Sequence, residues 1–233
     1  RYMAQGTVRR VGSSLFGANN RYATFPSFSR GWNVINEPYF KAPKWLSTLK
    51  VRGSWGKNGN DNIGDFTYAA WTASPYNTIW GRGENVVNGV QAGALANPDL
   101  KWEESIQTDL GIDLGFFDNA LTFSVDWFNK KTSGMIISMP IPNYVGSEAP
   151  LGNVGDMSNK GVEMELGYKW YVGKAKFHVR GNASYLKNTL TNLGNSSGYL
   201  ELDKMHNTGT ITRASNGEPF PYFYGYKTNG IFQ

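Results

Sequence analysis

The chain contains no cysteine among its 233 residues. This absence excludes disulfides and cysteine-ligated zinc, and it is compatible with many cellular compartments. The sequence also lacks any uninterrupted apolar run of about 18 residues, which a membrane-spanning helix would require. If the chain crosses a membrane, it must therefore do so as part of a β-barrel, because only helices and closed barrels satisfy their backbone hydrogen bonds in lipid.

Histidine and clustered basic charge are also scarce. His178 and His206 are the only histidines, and they lie on different predicted elements, so a metal-binding pair or a Ser-His-Asp triad has little support. The formal net charge is +5, but Lys and Arg are dispersed in short pairs such as Arg9-Arg10 and form no concentrated phosphate-binding stripe. We therefore expect no nucleic-acid partner. No cofactor and no metal are expected either.

The sequence does have a strict alternation of apolar and polar residues in four segments: Ile106 to Phe116, Leu121 to Trp127, Val162 to Trp170 and Phe177 to Tyr185. One face has no titratable residue and collects Ile106, Leu110, Ile112, Leu114, Leu121, Phe123, Val125, Val162, Met164, Leu166, Phe177 and Val179. The opposite face collects Asp109, Asp113, Asp126, Glu163, Glu165, Lys169, His178 and Arg180. Because side chains alternate across a strand, the two faces are predicted to contact different solvents. A charge on a lipid-facing strand costs about 2–4 kcal/mol at the bilayer midplane, so its absence favours a membrane.

Aromatic residues favour the membrane over a soluble β-sandwich, which also shows alternation. The aromatic residues on the apolar parity near predicted strand ends are Trp45, Trp55, Phe116, Trp127, Trp170 and Tyr185. Amphipathic rings at strand ends are typical of the headgroup layer of a membrane. A sandwich core gives no reason for such sorting.

The predicted connections are short on one side and long on the other. Asp118-Asn119 and Val172-Gly173-Lys174-Ala175 are predicted tight turns, whereas Lys131 to Asn159 and Asn188 to Phe220 are predicted long loops. This asymmetry is typical of outer-membrane barrels, with short periplasmic turns and long extracellular loops. The fold class is therefore predicted to be all-β, as an antiparallel transmembrane β-barrel wall.

The rest of the chain is predicted from weaker patterns. Strands are expected at Arg1 to Arg10, Ala23 to Ile35 and Trp45 to Trp55, a turn at Asn36 to Lys44, and a large irregular region at Gly56 to Glu104 with Phe66 to Trp71 as a candidate short strand. Tyr222 to Gln233 alternates weakly and has no predicted partner. About seven or eight strands are visible, which do not close a barrel, so residues 1–233 are expected to be a partial β-barrel domain completed by further strands.

Several long runs resemble the SusC/RagA family of TonB-dependent outer-membrane transporters of Bacteroidota. They are TFPSFSRGWNV (Thr24 to Val34), WLSTLKVRGSWGKNGN (Trp45 to Asn60), NPDLKWEES (Asn97 to Ser105), LGIDLGFFDNALTFSVDWFNKKTSGMI (Leu110 to Ile136), NVGDMSNKGVEMELGY (Asn153 to Tyr168) and YFYGYKTNGIFQ (Tyr222 to Gln233). The resemblance covers nearly the whole chain in order and spacing.

The resemblance implies a barrel of about 22 strands with an internal plug domain, which imports oligosaccharides, peptides or similar nutrients across the outer membrane with energy relayed by TonB. It implies a SusD-like surface lipoprotein as a hinged lid over the extracellular loops. The chain would be part of the later barrel wall, without the plug, the N-terminal segments that contact TonB, and the closing strands. A passive porin-type channel and a soluble glycan-binding β protein stay open as alternatives. No enzymatic activity is expected.

Arg30 departs from the pattern of this family, which usually has a small or apolar residue at this position. It shares its parity with Phe28, Trp32 and Val34. If that face contacts lipid, the guanidinium must snorkel or find a partner. Either the strand is rotated or Arg30 lies near an interface.

Ligand-contacting residues are predicted in the long loops, because aromatic faces and planar polar groups commonly hold sugars. The candidates are Trp71, Trp80, Arg82 and Tyr144. The alternative is that these side chains pack the loops together or contact the lid protein. Glu163 and Glu165 resemble a pair of catalytic acids, but a polar barrel interior produces the same spacing, and we favour that interpretation.

Overall fold

The structure is a computed structural model that describes residues 1–65, 67–69, 72–82, 85–93, 95–139, 141–195, 197–202, 209–228 and 230. Its regular structure is almost entirely β. The strands are β1 (Tyr2–Gly12), β2 (Tyr22–Asn33), β3 (Leu46–Asn60), β4 (Thr72–Trp80), β5 (Asn85–Ala92), β6 (Glu103–Phe116), β7 (Leu121–Ser138), β8 (Leu151–Val172), β9 (Ala175–Asn192), β10 (Tyr199–Glu201), β11 (Thr212–Ser215) and β12 (Tyr222–Phe223). Short 3-10 helices span Val34–Asn36 and Asn143–Val145. Among the described residues, no helix has the length and apolarity needed to cross a membrane.

Seven strands form one antiparallel sheet in the order β1-β2-β3-β6-β7-β8-β9. Each strand pairs with its neighbour in the chain, except that the β4–β5 hairpin is inserted between β3 and β6 as a separate two-stranded sheet. Strands β10, β11 and β12 form a small three-stranded sheet after β9. In the described part of the chain the seven-stranded sheet is open at β1 and β9, and its completion by further strands stays a prediction.

The register of the main sheet places the predicted apolar residues on one face. Ile112 pairs with Val51 on one side and with Val125 on the other, and Val125 pairs in turn with Met164. We call this parity the apolar face and the opposite parity the polar face. The predicted alternation is confirmed for all four segments.

The apolar face is uncovered in the described part of the chain. The side chains of Leu110 and Val179 are 55% and 60% exposed. A soluble β-sandwich would cover this face with a second sheet, and a large exposed apolar surface instead indicates a membrane or another apolar partner.

Aromatic rings cluster on the apolar face where strands meet the short turns. Trp45 stacks on Phe116 with ring centroids 5.8 Å apart, and Trp170 stacks on Phe177 at 5.3 Å. These pairs flank the β6–β7 and β8–β9 turns, as an interfacial belt would. The predicted sorting of aromatic residues is confirmed at this edge.

Both predicted tight turns are confirmed and lie at the same edge of the sheet. Phe117, Asp118 and Asn119 adopt φ values of 52°, 54° and 60°, a left-handed conformation that Asp and Asn tolerate better than most residues. Gly173 has φ 60° in the β8–β9 turn. The β2–β3 connection reaches this edge too, because Leu46 pairs with Phe116. We call this edge the short-turn side and the other the long-loop side.

The predicted loops Lys131 to Asn159 and Asn188 to Phe220 are largely wrong. Strand β7 continues to Ser138 and β8 begins at Leu151, while β9 continues to Asn192 and the region after it contains β10 and β11. Alternation disappears in these extensions because a strand with water on both faces has no reason to segregate apolar from polar side chains. The strands therefore project further on the long-loop side than the sequence indicates.

Two smaller boundaries also differ from the predictions. The predicted strand Ala23 to Ile35 ends at Asn33 and continues as a 3-10 helix. The candidate short strand Phe66 to Trp71 is wrong where it is described, since residues 67–69 form a turn and a bend; residues 66, 70 and 71 lie outside the described residues. The hairpin instead begins at Thr72, and its register shifts between Ala73 and Tyr76. Pro75 lies in this irregularity, where a strand tolerates a missing N–H.

Candidate functional site: the polar face and the long-loop rim

An ion-paired network crosses the polar face at β3, β6 and β7. The Arg52 guanidinium donates from Nε to Asp113 Oδ2 at 2.9 Å and from Nη2 to Asp113 Oδ1 at 2.9 Å. It also donates from Nη2 to Asp126 Oδ2 at 2.8 Å. Ser124 Oγ donates to Asp113 Oδ1 at 2.9 Å. A bidentate guanidinium–carboxylate pair fixes its geometry strongly, so these side chains form a rigid polar surface.

Gly111 creates the space for this network. A side chain at Gly111 would collide with the Asp126 carboxylate and the Arg52 guanidinium. The sequence shows Gly111 only as a gap in the polar parity of β6. The structure explains the gap, because neighbouring strands fill it with charged groups.

The network continues across β8 and β9 as a charged wall. Arg180 Nε lies 3.1 Å from Glu165 Oε1. A hollow of about 470 Å³ lies over this wall, and its lining includes Arg52, Asp126, Glu163, Glu165 and Ser184. Glu163 and Glu165 thus lie in an extended polar surface, as the barrel-interior interpretation expects. Cationic, anionic and hydroxyl side chains can all bind water and polar solutes along such a wall.

A buried apolar cluster stabilises the long-loop side where β2 and β3 stop pairing. The β2–β3 ladder ends at Ser27 and Gly56, and Phe16, Phe25, Leu100 and Trp102 pack near this end of β2. The Trp102 ring lies 5.3 Å from Phe16 and 5.6 Å from Phe25 between centroids. We call these four residues the rim core. The rim core holds the β1–β2 loop against the segment that enters β6.

Side-chain amides then tie this segment to β7 and β8. Asn97 Nδ2 donates to the Leu151 carbonyl at 2.7 Å. Asn153 Nδ2 donates to the Lys101 carbonyl at 2.7 Å, and Asn153 Oδ1 accepts from the Lys101 amide at 2.9 Å. The NPDLKW run (Asn97 to Trp102) is therefore fastened to β8 on the long-loop side.

Of the four predicted ligand-contacting residues, the structure describes the side chains of Arg82 and Tyr144, which lie in two different connections. Trp71 lies outside the described residues, and Trp80 ends β4 with a side chain outside the description. Arg82 is exposed in the turn after β4, and Tyr144 is 90% exposed in the β7–β8 connection. The segment between β5 and β6 contacts the β7–β8 connection, because the Leu95 amide donates to the Glu148 carbonyl at 3.5 Å. Whether these side chains contact ligand stays a prediction.

Sequence reasoning missed a second aromatic site on the long-loop side. The Arg213 guanidinium lies 4.4 Å from the Tyr199 ring centroid and 3.5 Å from the Tyr224 centroid. Arg213 Nη2 also donates to Glu201 Oε1 at 3.1 Å. The one available signal was the tyrosine-rich run that begins at Tyr222. A planar cation between two rings can present both stacking and hydrogen-bonding surface to a polar ligand.

The short-turn side carries a buried carboxylate outside the spanning strands. Glu37 accepts a 2.9 Å hydrogen bond from Trp32 Nε1. The indole N–H of Trp32 and then the Tyr2 hydroxyl stabilise the ionised form, so the pKa of Glu37 lies below its ordinary value. This contact anchors the β2–β3 connection to β2.

The fold and the two faces define the class of protein as a wall segment of a transmembrane β-barrel. Residues 1–223 match the family described as TonB dependent receptor-like, beta-barrel. The chain belongs to this family. Its location is therefore the outer membrane, and its apolar face contacts lipid.

Relatives agree with this assignment over the whole chain. TonB-dependent receptor P3 of Formosa agariphila is 34% identical over 236 residues, covering 100% of this chain and 23% of the relative. TonB-dependent receptor SusC of Bacteroides thetaiotaomicron is 30% identical over 238 residues, covering 100% of this chain and 23% of the relative. A structure of the RagAB peptide transporter matches with a TM-score of 0.81 at 30% identity, covering 95% of this chain and 23% of that chain. The chain thus spans less than a quarter of the length of these relatives.

Arg30 is a charged residue on the apolar face, where a charge is unfavourable in contact with lipid. It pairs with Ala4 and Gly53 on the apolar face, so the strand is not rotated. Within the described ranges Arg30 forms no ion pair. It lies close to the end of β2 on the short-turn side, where snorkelling reduces the cost of its charge.

We expect Arg30→Leu to raise the free energy of unfolding of the full-length barrel by about 1–3 kcal/mol, between the interfacial and midplane costs of a lipid-facing arginine. Chemical unfolding of the protein in lipid vesicles measures this change. Arg180→Leu on the polar face is the control and should lower stability, since it leaves Glu165 without its partner. Unchanged or lower stability for Arg30→Leu would show that this guanidinium has a stabilising partner.

Proposed function

We propose that the protein is an active nutrient importer of the outer membrane and that this chain forms part of its conducting wall. The polar face carries the proposal, because a rigid wall of charged and hydroxyl groups lies opposite a lipid-facing surface. Such a wall passes polar solutes and not apolar ones. The likeness to the RagAB peptide transporter supports peptides as a substrate class, and the resemblance to the SusC/RagA family adds oligosaccharides.

We propose further that TonB supplies the energy and that a SusD-like surface lipoprotein covers the long-loop side. The rim supports this part, because its clamped loops present an ordered docking edge. Trp71, Trp80, Arg82 and Tyr144 are proposed as contacts to substrate, and the exposed Tyr144 ring fits a stacking role. The Tyr199, Arg213 and Tyr224 cluster is a further candidate on the same side.

An uptake assay in the native host tests the proposal. We expect cells that carry the full-length protein to take up labelled oligosaccharides or peptides, and uptake to stop when TonB is deleted or the inner membrane is uncoupled. Native purification should recover a surface lipoprotein with the receptor. If the protein is a passive porin, uptake should persist without TonB. This result would contradict the proposal of an active importer.

A matched pair of tyrosine variants distinguishes a loss of substrate contact from a general effect on the barrel. Tyr144→Ala on the long-loop side should weaken uptake several-fold at low substrate concentration, as the loss of one stacking contact predicts. Tyr39→Ala on the short-turn side removes a ring that is also exposed and should leave uptake unchanged. Equal effects of the two variants would exclude Tyr144 as a specific contact.

A further inference from the structure

Three lysines that are far apart in the sequence lie together on the apolar face. Lys160 of β8 is the direct cross-strand partner of Lys187 of β9. Lys131 of β7 pairs with Ser158, and Asn129 pairs with Lys160, so Lys131 and Lys160 are diagonal neighbours. All three lysines are exposed. We call Lys131, Lys160 and Lys187 the lysine cluster.

The lysine cluster lies just beyond the membrane-spanning part of the strands on the long-loop side. On this face, Lys187 is the next residue after Tyr185, and Lys160 is next to Val162. One such step is about 7 Å along a strand. Lys131 follows Trp127 in the same direction, with Asn129 between them. Cations directly outside aromatic rings lie at the level of lipid headgroups.

In the residues that the structure describes, no carboxylate neutralises these charges, since none of the three lysines forms an ion pair there. The carboxylates of the same parity on the loop side are engaged elsewhere: Glu104 pairs with Lys57 at 2.7 Å, and Asp156 accepts from the Gly134 amide at 3.0 Å. Like charges directly opposite each other destabilise a sheet, so an anion bound beside Lys160 and Lys187 would stabilise this pairing.

Two polar atoms that lie between the lysines also have no hydrogen-bond partner in the described part of the chain. They are Ser158 Oγ and Asn129 Oδ1, and both atoms are buried. A hydroxyl can donate to an anionic oxygen, and an amide oxygen can accept from a lysine that bridges to it. A buried polar atom without a partner carries a free-energy cost that a bound ligand would remove.

We propose that the lysine cluster binds the phosphate groups of the glycolipid in the outer leaflet of the outer membrane. Several ammonium groups around one phosphate form charge-assisted hydrogen bonds, and Ser158 adds a hydroxyl donor. The acyl chains of the same lipid would lie on the apolar residues below, beside Tyr185 and Val162. The bound lipid thus relieves the repulsion between Lys160 and Lys187 and fixes the height of the barrel in the membrane.

Native mass spectrometry of the full-length protein, delipidated and titrated with purified lipid A, tests this site. We expect the variant Lys131→Gln/Lys160→Gln/Lys187→Gln to bind lipid A at least about tenfold more weakly than the parent protein. The matched control is Lys130→Gln/Lys169→Gln/Lys176→Gln, which makes the same charge change on the same three strands but on the polar face. The control should bind as the parent does, and dephosphorylated lipid A should bind the parent as weakly as lipid A binds the cluster variant.

Each other result would overturn the proposal. Equal affinity of the parent and the cluster variant for lipid A would show that the lysine cluster is not the binding site. Equal binding of phosphatidylglycerol would make it a general anionic surface, and displacement by millimolar inorganic phosphate alone would make it a site for free ions. If the triple variant fails to fold, Lys160→Gln alone decides the question: it should raise the thermal stability of the lipid-free barrel by relieving repulsion, and lose most of the added stability that lipid A gives the parent.

Discussion

Leu166→Arg is expected to lower the free energy of unfolding of the barrel by about 2–4 kcal/mol in lipid vesicles. Leu166 is 51% exposed on the apolar face and pairs with Phe123. In lipid, its replacement by arginine places a guanidinium in hydrocarbon with no carboxylate of the same parity on the adjoining strands. Chemical unfolding in vesicles measures the stability, and the heat-dependent gel mobility of the barrel measures the yield of assembly.

Asn182→Arg is the matched control for this substitution, because it adds the same charge to the polar face. Asn182 pairs with Glu165, so the new cation faces water and an existing carboxylate. We expect a change within about 0.5 kcal/mol, which is usual for a solvated surface position. A similar loss in both variants would contradict the assignment of the two faces and with it the membrane orientation of the wall.

Trp102→Ala is expected to cost about 3–5 kcal/mol of local stability in the rim, the usual range for removal of a buried tryptophan. Trp102 is 6% exposed and contacts Phe16 and Phe25 in the rim core. Its loss leaves a cavity between the β1–β2 loop and the segment that enters β6. Hydrogen exchange should therefore accelerate in residues 13–21 and 95–101 while the β6–β7 turn keeps its protection.

Two further substitutions separate the rim core from a general loss of aromatic packing. Trp102→Phe keeps a ring in the cluster and should restore most of the protection. Trp45→Ala removes a stacked tryptophan on the short-turn side and should leave the rim unchanged. Uniform acceleration of exchange throughout the barrel in Trp102→Ala would show that the rim does not behave as a local unit.

The membrane-spanning part of the fold was predictable from the sequence. Each strand has lipid on one face and water on the other, so apolar and polar residues alternate along it. Ile112 and Asp113 already belong to different faces on this ground alone, and the register confirms it. The turn at Asp118 was predictable from local backbone preferences. The extensions of β7 and β8 were not, because water on both faces removes the alternation that marks a strand.

The rim and the charged clusters depend on contacts between distant parts of the chain, which a single sequence does not encode locally. Phe16 and Trp102 meet in one cluster although several strands separate them. Arg52 binds Asp113 and Asp126 only because β3, β6 and β7 are neighbours in a particular register. The lysines are dispersed in the sequence, yet Lys160 and Lys187 are direct cross-strand partners. Register, rather than composition, decides which charges meet.

The length of β8 has a mechanical consequence for any protein that docks on this barrel. The strand contains 22 residues, about 70 Å of extended chain at about 3.3 Å per residue, whereas a tilted strand crosses a bilayer with about 9–11 residues. Roughly half of the strand therefore extends beyond the lipid surface. Hydrogen bonds to β7 and β9 keep this extension ordered. A partner that docks on these extended strands contacts backbone that is already ordered. Little of the binding free energy is therefore lost to the conformational entropy of ordering loops.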